Sequence, residues 1–190
     1  MFDVGWAFSP SPELRLGFFA GYHYWHEKAT ANGVVCNQAS FLGCPSAGAV
    51  VVGLDTAVLS YEPTWHAVRI GVEGKVRITD RWSVNGEVAG IPYASLQNKD
   101  SHLLRQSFAD LGPAPNIITD SKYAYGVEAE VFVNYALTPN IEVGGGLRYW
   151  GLSSRSGDVR FGPAFTTDTN SLNNFDQQRY GVLLHVKGKF

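Results

Sequence analysis

The stretch VRIGVEGKVRI (Val68–Ile78) alternates strictly. Val68, Ile70, Val72, Gly74, Val76 and Ile78 fall on one face of an extended strand, and Arg69, Gly71, Glu73, Lys75 and Arg77 fall on the other, because successive side chains of a β-strand point to opposite sides. A helix would scatter the same apolar residues around its circumference. What decides the fold is the medium each face meets. Apolar outward and charged inward makes a wall between lipid and water. The reverse makes a water-soluble barrel with a dry lumen, as in a lipocalin.

The same period recurs along the chain. From Leu14 one face reads Leu14, Leu16, Phe18, Ala20, Tyr22, Tyr24, and from Tyr123 one face reads Tyr123, Tyr125, Val127, Ala129, Val131, Val133, Tyr135, Leu137. The closing segment RYGVLLHVKGKF (Arg179–Phe190) sets Tyr180, Val182, Leu184 and Val186 against Arg179, His185 and Lys187. Seven strands are expected, near 2–8, 14–28, 64–78, 81–97, 123–137, 141–152 and 178–190. About ten residues tilted by about 45° cover roughly 23 Å, close to the apolar band of an outer-membrane barrel, whereas soluble sandwich strands run to about five or six residues. Charged residues make up only 17% of the 190 residues, below the roughly 25–35% of a soluble surface. These features favour the transmembrane wall.

Connections alternate in length. Short turns at SPSPE, at Thr79–Asp80 and at Thr138–Asn140 face long stretches at about 29–64, 98–122 and 153–177, the habit of transmembrane barrels with short periplasmic turns and long extracellular loops. The expectation is an all-β, antiparallel, up-and-down transmembrane barrel formed by one domain, residues 1–190. Seven strands leave open edges, which lipid does not tolerate, and single-chain bacterial barrels have an even number of at least eight. Met1 leads almost directly into FDVGWAF with no secretory signal. The barrel is therefore expected to be incomplete, with N-terminal strands missing.

A net charge of -2 gives no basic surplus for nucleic acid. Cys36 and Cys44 enclose seven residues, which suits a small disulfide loop in an oxidising compartment; two free thiols are the alternative. His23, Trp25 and Glu27 share a face that could supply half a metal site, but zinc needs three or four convergent ligands, so a polar lumen lining is the reading preferred. Glu128 and Glu130 face inward together and are expected to pair with Arg148 or another lumen base. Gly144–Gly146 lacks the Lys-Ser/Thr of a phosphate loop and fits close packing of a neighbouring wall. No cofactor or metal is implied.

One constellation could carry chemistry. LQNKDSHLLRQ contains Asp100 and His102, two apart and so on one face of a strand. A carboxylate beside an imidazole orients it and raises its basicity, which equips it to take a proton from an attacking water. The alternative is a solvated loop pair. Parity is a difficulty: even-numbered positions such as Trp82, Val84 and Val88 look lipid-facing, so turning Asp100 and His102 inward needs a bulge between Ala89 and Lys99. Pro92, which lacks a ladder donor, is the place for it.

The succession FDVGW, LRLGFFAGYHY, GVEGKVRITDRWSVNGEVAG, NKDSH and VNYALTPNIEVGGGLRYW resembles the later strands of the omptin family, outer-membrane endopeptidases with ten-stranded barrels. The resemblance spans nearly the whole chain. It implies seven strands of ten, a bacterial outer-membrane location, aspartic-type peptide hydrolysis at the extracellular mouth, and a lipopolysaccharide requirement. It implies that Asp100 orients His102, that His102 is the general base, and that position 98 contacts substrate. Asn98 stands where family members specific for basic residues carry an acid, so basic specificity does not transfer. The aspartate pair that completes the omptin site has no counterpart, since no Asp-x-Asp occurs in the sequence, and the chain alone is expected to be inactive. Phe190 resembles the terminal aromatic that such proteins present to the outer-membrane insertion machinery. Expected partners are outer-membrane lipid, lipopolysaccharide and a peptide or protein substrate. The alternative function is a non-enzymatic barrel serving a structural, adhesive or narrow-pore role.

Overall fold

The computed structural model describes residues 1–39, 43–162 and 169–188; Phe190 lies outside them. Among the described residues nine strands form one sheet: β1 (Phe2–Ser11), β2 (Leu14–His26), β3 (Ala29–Val35), β4 (Val50–Arg77), β5 (Trp82–His102), β6 (Ile117–Thr138), β7 (Ile141–Phe161), β8 (Thr169–Ser171) and β9 (Phe175–Gly188). The wall runs β1-β2-β4-β5-β6-β7-β9, every pairing antiparallel. β3 continues β2 along the upper half of β4, and β8 lies beside the end of β7. Among the described residues the sheet is open, with β1 and β9 at its edges. Six antiparallel steps separate these edge strands, so they run in the same direction.

Three tight turns lie at one end of the wall, at 12–13, 78–81 and 139–140. Two use the same device. Thr79 Oγ1 accepts from the N–H groups of Arg81 and Trp82, at 3.2 and 3.0 Å, and Thr138 Oγ1 accepts from those of Asn140 and Ile141, at 3.2 and 3.0 Å. A threonine hydroxyl that satisfies two backbone donors holds the chain in a turn.

The opposite end differs from the sequence expectation. The long stretches are largely strand, because β4 has 28 residues and β5, β6 and β7 have 21, 22 and 21. A strand of this length spans about 70 Å or more along its axis, far beyond an apolar band about 25 Å tall. The extra length projects into water, where neither face must be apolar and alternation fades. Cys36 and Cys44 form a disulfide at the tip of the β3–β4 hairpin.

The outer face carries the apolar rows. One row crosses the whole wall in register: Trp6, Phe18, Val72, Val88, Ala129, Tyr149, Tyr180. Ile70 is 58% exposed and Leu184 85%, while Arg69, between Val68 and Ile70, is 1% exposed. So much contiguous exposed apolar surface suits lipid rather than water. Tyr22, Tyr93 and Tyr123 mark its upper rim, and Trp82 packs on Tyr135 at its lower rim, where amphipathic rings meet head groups.

The inner face is layered. Near the short turns, Asn134 donates to Asn85 at 2.7 Å. Above it Glu130 pairs with Arg148. Next, Arg69 meets Glu128 and Glu87 at 2.5 Å each, lies 3.5 Å from Asp3, and stacks over the Phe19 ring. His23 shares Glu128 at 2.5 Å. A dry aromatic layer follows: Trp25 stacks on Trp150, and Trp65 packs edge-on to Trp150 and Phe175. His23 is thus held by Glu128, while Trp25 donates its indole N–H to Glu27 at 3.4 Å and Glu27 pairs with Arg179 and Gln177.

Gly144 and Gly146 face this interior. A Cβ on Gly146 would lie 2.3 Å from the Val131 carbonyl and 2.5 Å from the Phe132 ring, whereas one on Gly145 would meet nothing nearer than Leu184 at 3.4 Å on the outer face. Gly146→Ala is therefore expected to lower stability by about 1–3 kcal/mol, and Gly145→Ala to change it by no more than about 0.5 kcal/mol. Urea unfolding in detergent would separate the two; equal midpoints would contradict the packing account.

Candidate functional site

The parity conflict in β5 is resolved by a bulge. Val68 pairs with Tyr93 but Ile70 with Gly90, and on the other side Ile91 pairs with Gly126 but Ala94 with Ala124. Ile91 and Ala94 are both buried inward, while Pro92 and Tyr93 are both exposed outward. Odd positions face the interior below the bulge; above it Ala94, Leu96, Asn98, Asp100 and His102 do. A bulge of this kind re-aims every residue that follows.

Asp100 and His102 therefore lie on the inner side of the mouth, above the aromatic layer and beyond the lipid band. The described residues include neither an ion pair nor a hydrogen bond between them. Asp100 Oδ1 is buried without a partner, and so is Oδ1 of Asn98, which is 3% exposed. Burial pushes the Asp100 carboxyl above the ordinary carboxylate range, opposed by the charge of His102 and by the Ser101 N–H.

Two neighbours were not singled out from the sequence. Tyr61 sits directly across from Asp100 on β4 and stacks on Phe175 with ring centroids 6.2 Å apart. Burial pushes its phenol up to about 12; Glu27 and Asp100 add to the shift and Arg179 opposes it. Tyr61 thus stays neutral beside two carboxylates. Its signal was present, since Tyr61, Pro63 and Trp65 continue the inner face of β4. Asn116 is fully buried and hydrogen-bonds the backbone of His102; nothing in its local sequence announces that role.

Around the mouth, acids and bases neutralise one another. Lys28 pairs with Glu62 at 3.0 Å, Arg105 with Asp110 at 2.6 Å, Arg155 with Asp176 at 3.2 Å, Arg160 with Asp120, and Arg179 with Glu27. Asp100 has no cationic side chain on it among these pairs. No set of three or more His, Cys, Asp or Glu gathers as a metal site among the described residues.

No protein-family model matches the sequence, and no curated protein matches it. Among solved structures, the crystal structure of the outer membrane protease OmpT from Escherichia coli is similar, with a TM-score of 0.72 and 15% sequence identity. The match covers 99% of this chain and 62% of that one, so the chain spans less than two thirds of the protease's length. In fold the chain is omptin-like, an open antiparallel wall that follows the barrel of this outer membrane protease along nearly all of its own length.

Proposed function

We propose that the chain is the catalytic-dyad part of an omptin-type outer-membrane endopeptidase, with Asp100 and His102 activating water against a peptide carbonyl at the extracellular mouth. The observation that carries this reading is the bulge at Ile91–Tyr93, which turns both residues inward above a dry floor. His102 takes a proton from water as the oxygen adds to the carbonyl carbon, and returns it to the departing amide nitrogen as the C–N bond breaks. Asp100 stabilises the imidazolium formed in between. Asn98, two residues below Asp100 on the same face, contacts the substrate. Outer-membrane lipid surrounds the wall, and lipopolysaccharide is the lipid expected to support activity. The 190-residue chain holds one half of the water-activating set and is expected to hydrolyse peptides very weakly or not at all.

A non-enzymatic barrel is the second reading. It is favoured by the lack of any Asp-x-Asp in the sequence and by the lack, among the described residues, of a hydrogen bond between Asp100 and His102.

Asp100→Asn, read beside the parent protein, separates the two. A carboxyl whose folded pKa is raised contributes stability that is fully present below its ordinary pKa and lost as pH rises through the raised value. At neutral pH the ionised group is therefore held against a penalty. Asp100→Asn is expected to leave the melting temperature unchanged or higher while peptide cleavage by the protein expressed from its complete reading frame falls. Unchanged cleavage would remove Asp100 from the reaction, and a parent protein that cleaves no peptide would favour the non-enzymatic reading.

A further inference from the structure

His102 is the last residue of β5, and strand ends fray unless their backbone groups are paired. Its neighbours on the β4 side are in place: Leu103 donates to the Val58 carbonyl at 3.0 Å, and Leu59 pairs with His102 in register. The N–H and C=O of His102 itself point the other way, towards β6. There the ladder runs out. Asp100 pairs with Ile117, and the same register continued by two more positions sets Pro115 opposite His102. Proline has no N–H to give.

The side chain of Asn116 occupies that position. Its Oδ1 accepts from the His102 N–H at 2.8 Å, and its Nδ2 donates to the His102 carbonyl at 3.2 Å. One side-chain amide thus makes with His102 the two reciprocal bonds that a hydrogen-bonded residue pair exchanges in an antiparallel ladder. Asn116 is itself fixed on every side. Nδ2 also reaches the Gly112 carbonyl at 3.2 Å, its N–H donates to the Asp100 carbonyl at 3.1 Å, and its carbonyl accepts from Gly162 at 2.9 Å. It is fully buried.

We infer that Asn116 is the positioning residue for His102: its amide replaces the missing rung of the sheet and so holds the imidazole on the same inward face as Asp100. The consequence for turnover rests on the proteolytic reading above; the consequence for the His102 backbone does not. Asparagine is the residue this requires. Alanine offers neither bond. Aspartate keeps an acceptor for the His102 N–H but sets a carboxylate against the carbonyls of His102 and Gly112.

Two measurements on the protein expressed from its complete reading frame, refolded in detergent with lipopolysaccharide, test this. Amide hydrogen exchange followed by NMR should show His102 protected in the parent protein and at least about tenfold less protected in Asn116→Ala, with Ala94 and Leu96 unchanged. In peptide cleavage, Asn116→Ala should lower kcat by about a hundredfold, the scale expected for a misplaced reacting group, with KM within about twofold. Asn116→Asp should fall between the two and serves if Asn116→Ala does not fold. Equal His102 protection in the parent and both variants would overturn the inference. If the parent cleaves no peptide, proteolysis fails, and the exchange result alone still supports or overturns the placement of His102 by Asn116.

Discussion

Alanine at position 69 is expected to destabilise the wall by about 3–5 kcal/mol, the scale for removing one partner from a buried ionic cluster. Arg69 is 1% exposed and is the base that Glu128, Glu87 and Asp3 share. Removing it strands three carboxylates inside the barrel, with only His23 left on Glu128. It also removes the guanidinium from the Phe19 ring. The effect would be read from urea unfolding in detergent, or from the temperature at which the folded, fast-migrating band is lost on gels. The fourfold change Arg69→Met with Asp3→Asn, Glu87→Gln and Glu128→Gln should recover most of the loss, because a matched uncharged set leaves no carboxylate of the cluster without its base. A change below about 1 kcal/mol in Arg69→Ala would mean that water reaches the cluster and screens it.

The second large effect concerns turnover. Under the proposed mechanism His102→Ala removes the general base, and such a group typically contributes about 10²- to 10⁴-fold to rate. Cleavage by the protein expressed from its complete reading frame should therefore fall by at least about a hundredfold. KM should change little, because the imidazole acts on water rather than on the peptide's ground state. Folding should be unaffected, since the imidazole itself makes no hydrogen bond to another described side chain. Cleavage within about threefold of the parent protein would remove His102 from the reaction and place the chemistry elsewhere, whereas a parent that cleaves no peptide would leave the non-enzymatic barrel as the better account.

Much of the wall was legible because hydrocarbon and water impose a strict choice on alternate residues. Val68–Ile78 reads correctly since every second side chain must suit lipid, and Arg69 and Glu73 can only turn inward. Above the lipid that selection stops. Between Ala29 and Val58 the sole charged residue is Asp55, so β3 and the upper half of β4 carry no contrast between faces and read as loop although they pair as strands. The bulge was legible as a conflict, since Asp100 and His102 sat on the wrong parity for an inward dyad, and Pro92 marked where parity could change. The glycines at 144 and 146 were legible as sites of close approach. Asn116 was not, because its partner atoms come together only once β5, β6 and the end of β7 are assembled. The inward aim of Tyr61 was legible from the alternation of β4, but its proximity to Asp100 was not, because that depends on the register between two strands, which neither strand specifies alone.

The common direction of β1 and β9 limits how the wall can be sealed. Joined directly, they would lie side by side with the same polarity, unlike every other pairing in the sheet. A twin molecule inserted the same way up offers each edge the same mismatch, so edge-to-edge doubling is disfavoured by handedness of direction alone. Completion by antiparallel partners calls for an odd tally of intervening segments, the outermost two both ascending from the rim of tight turns.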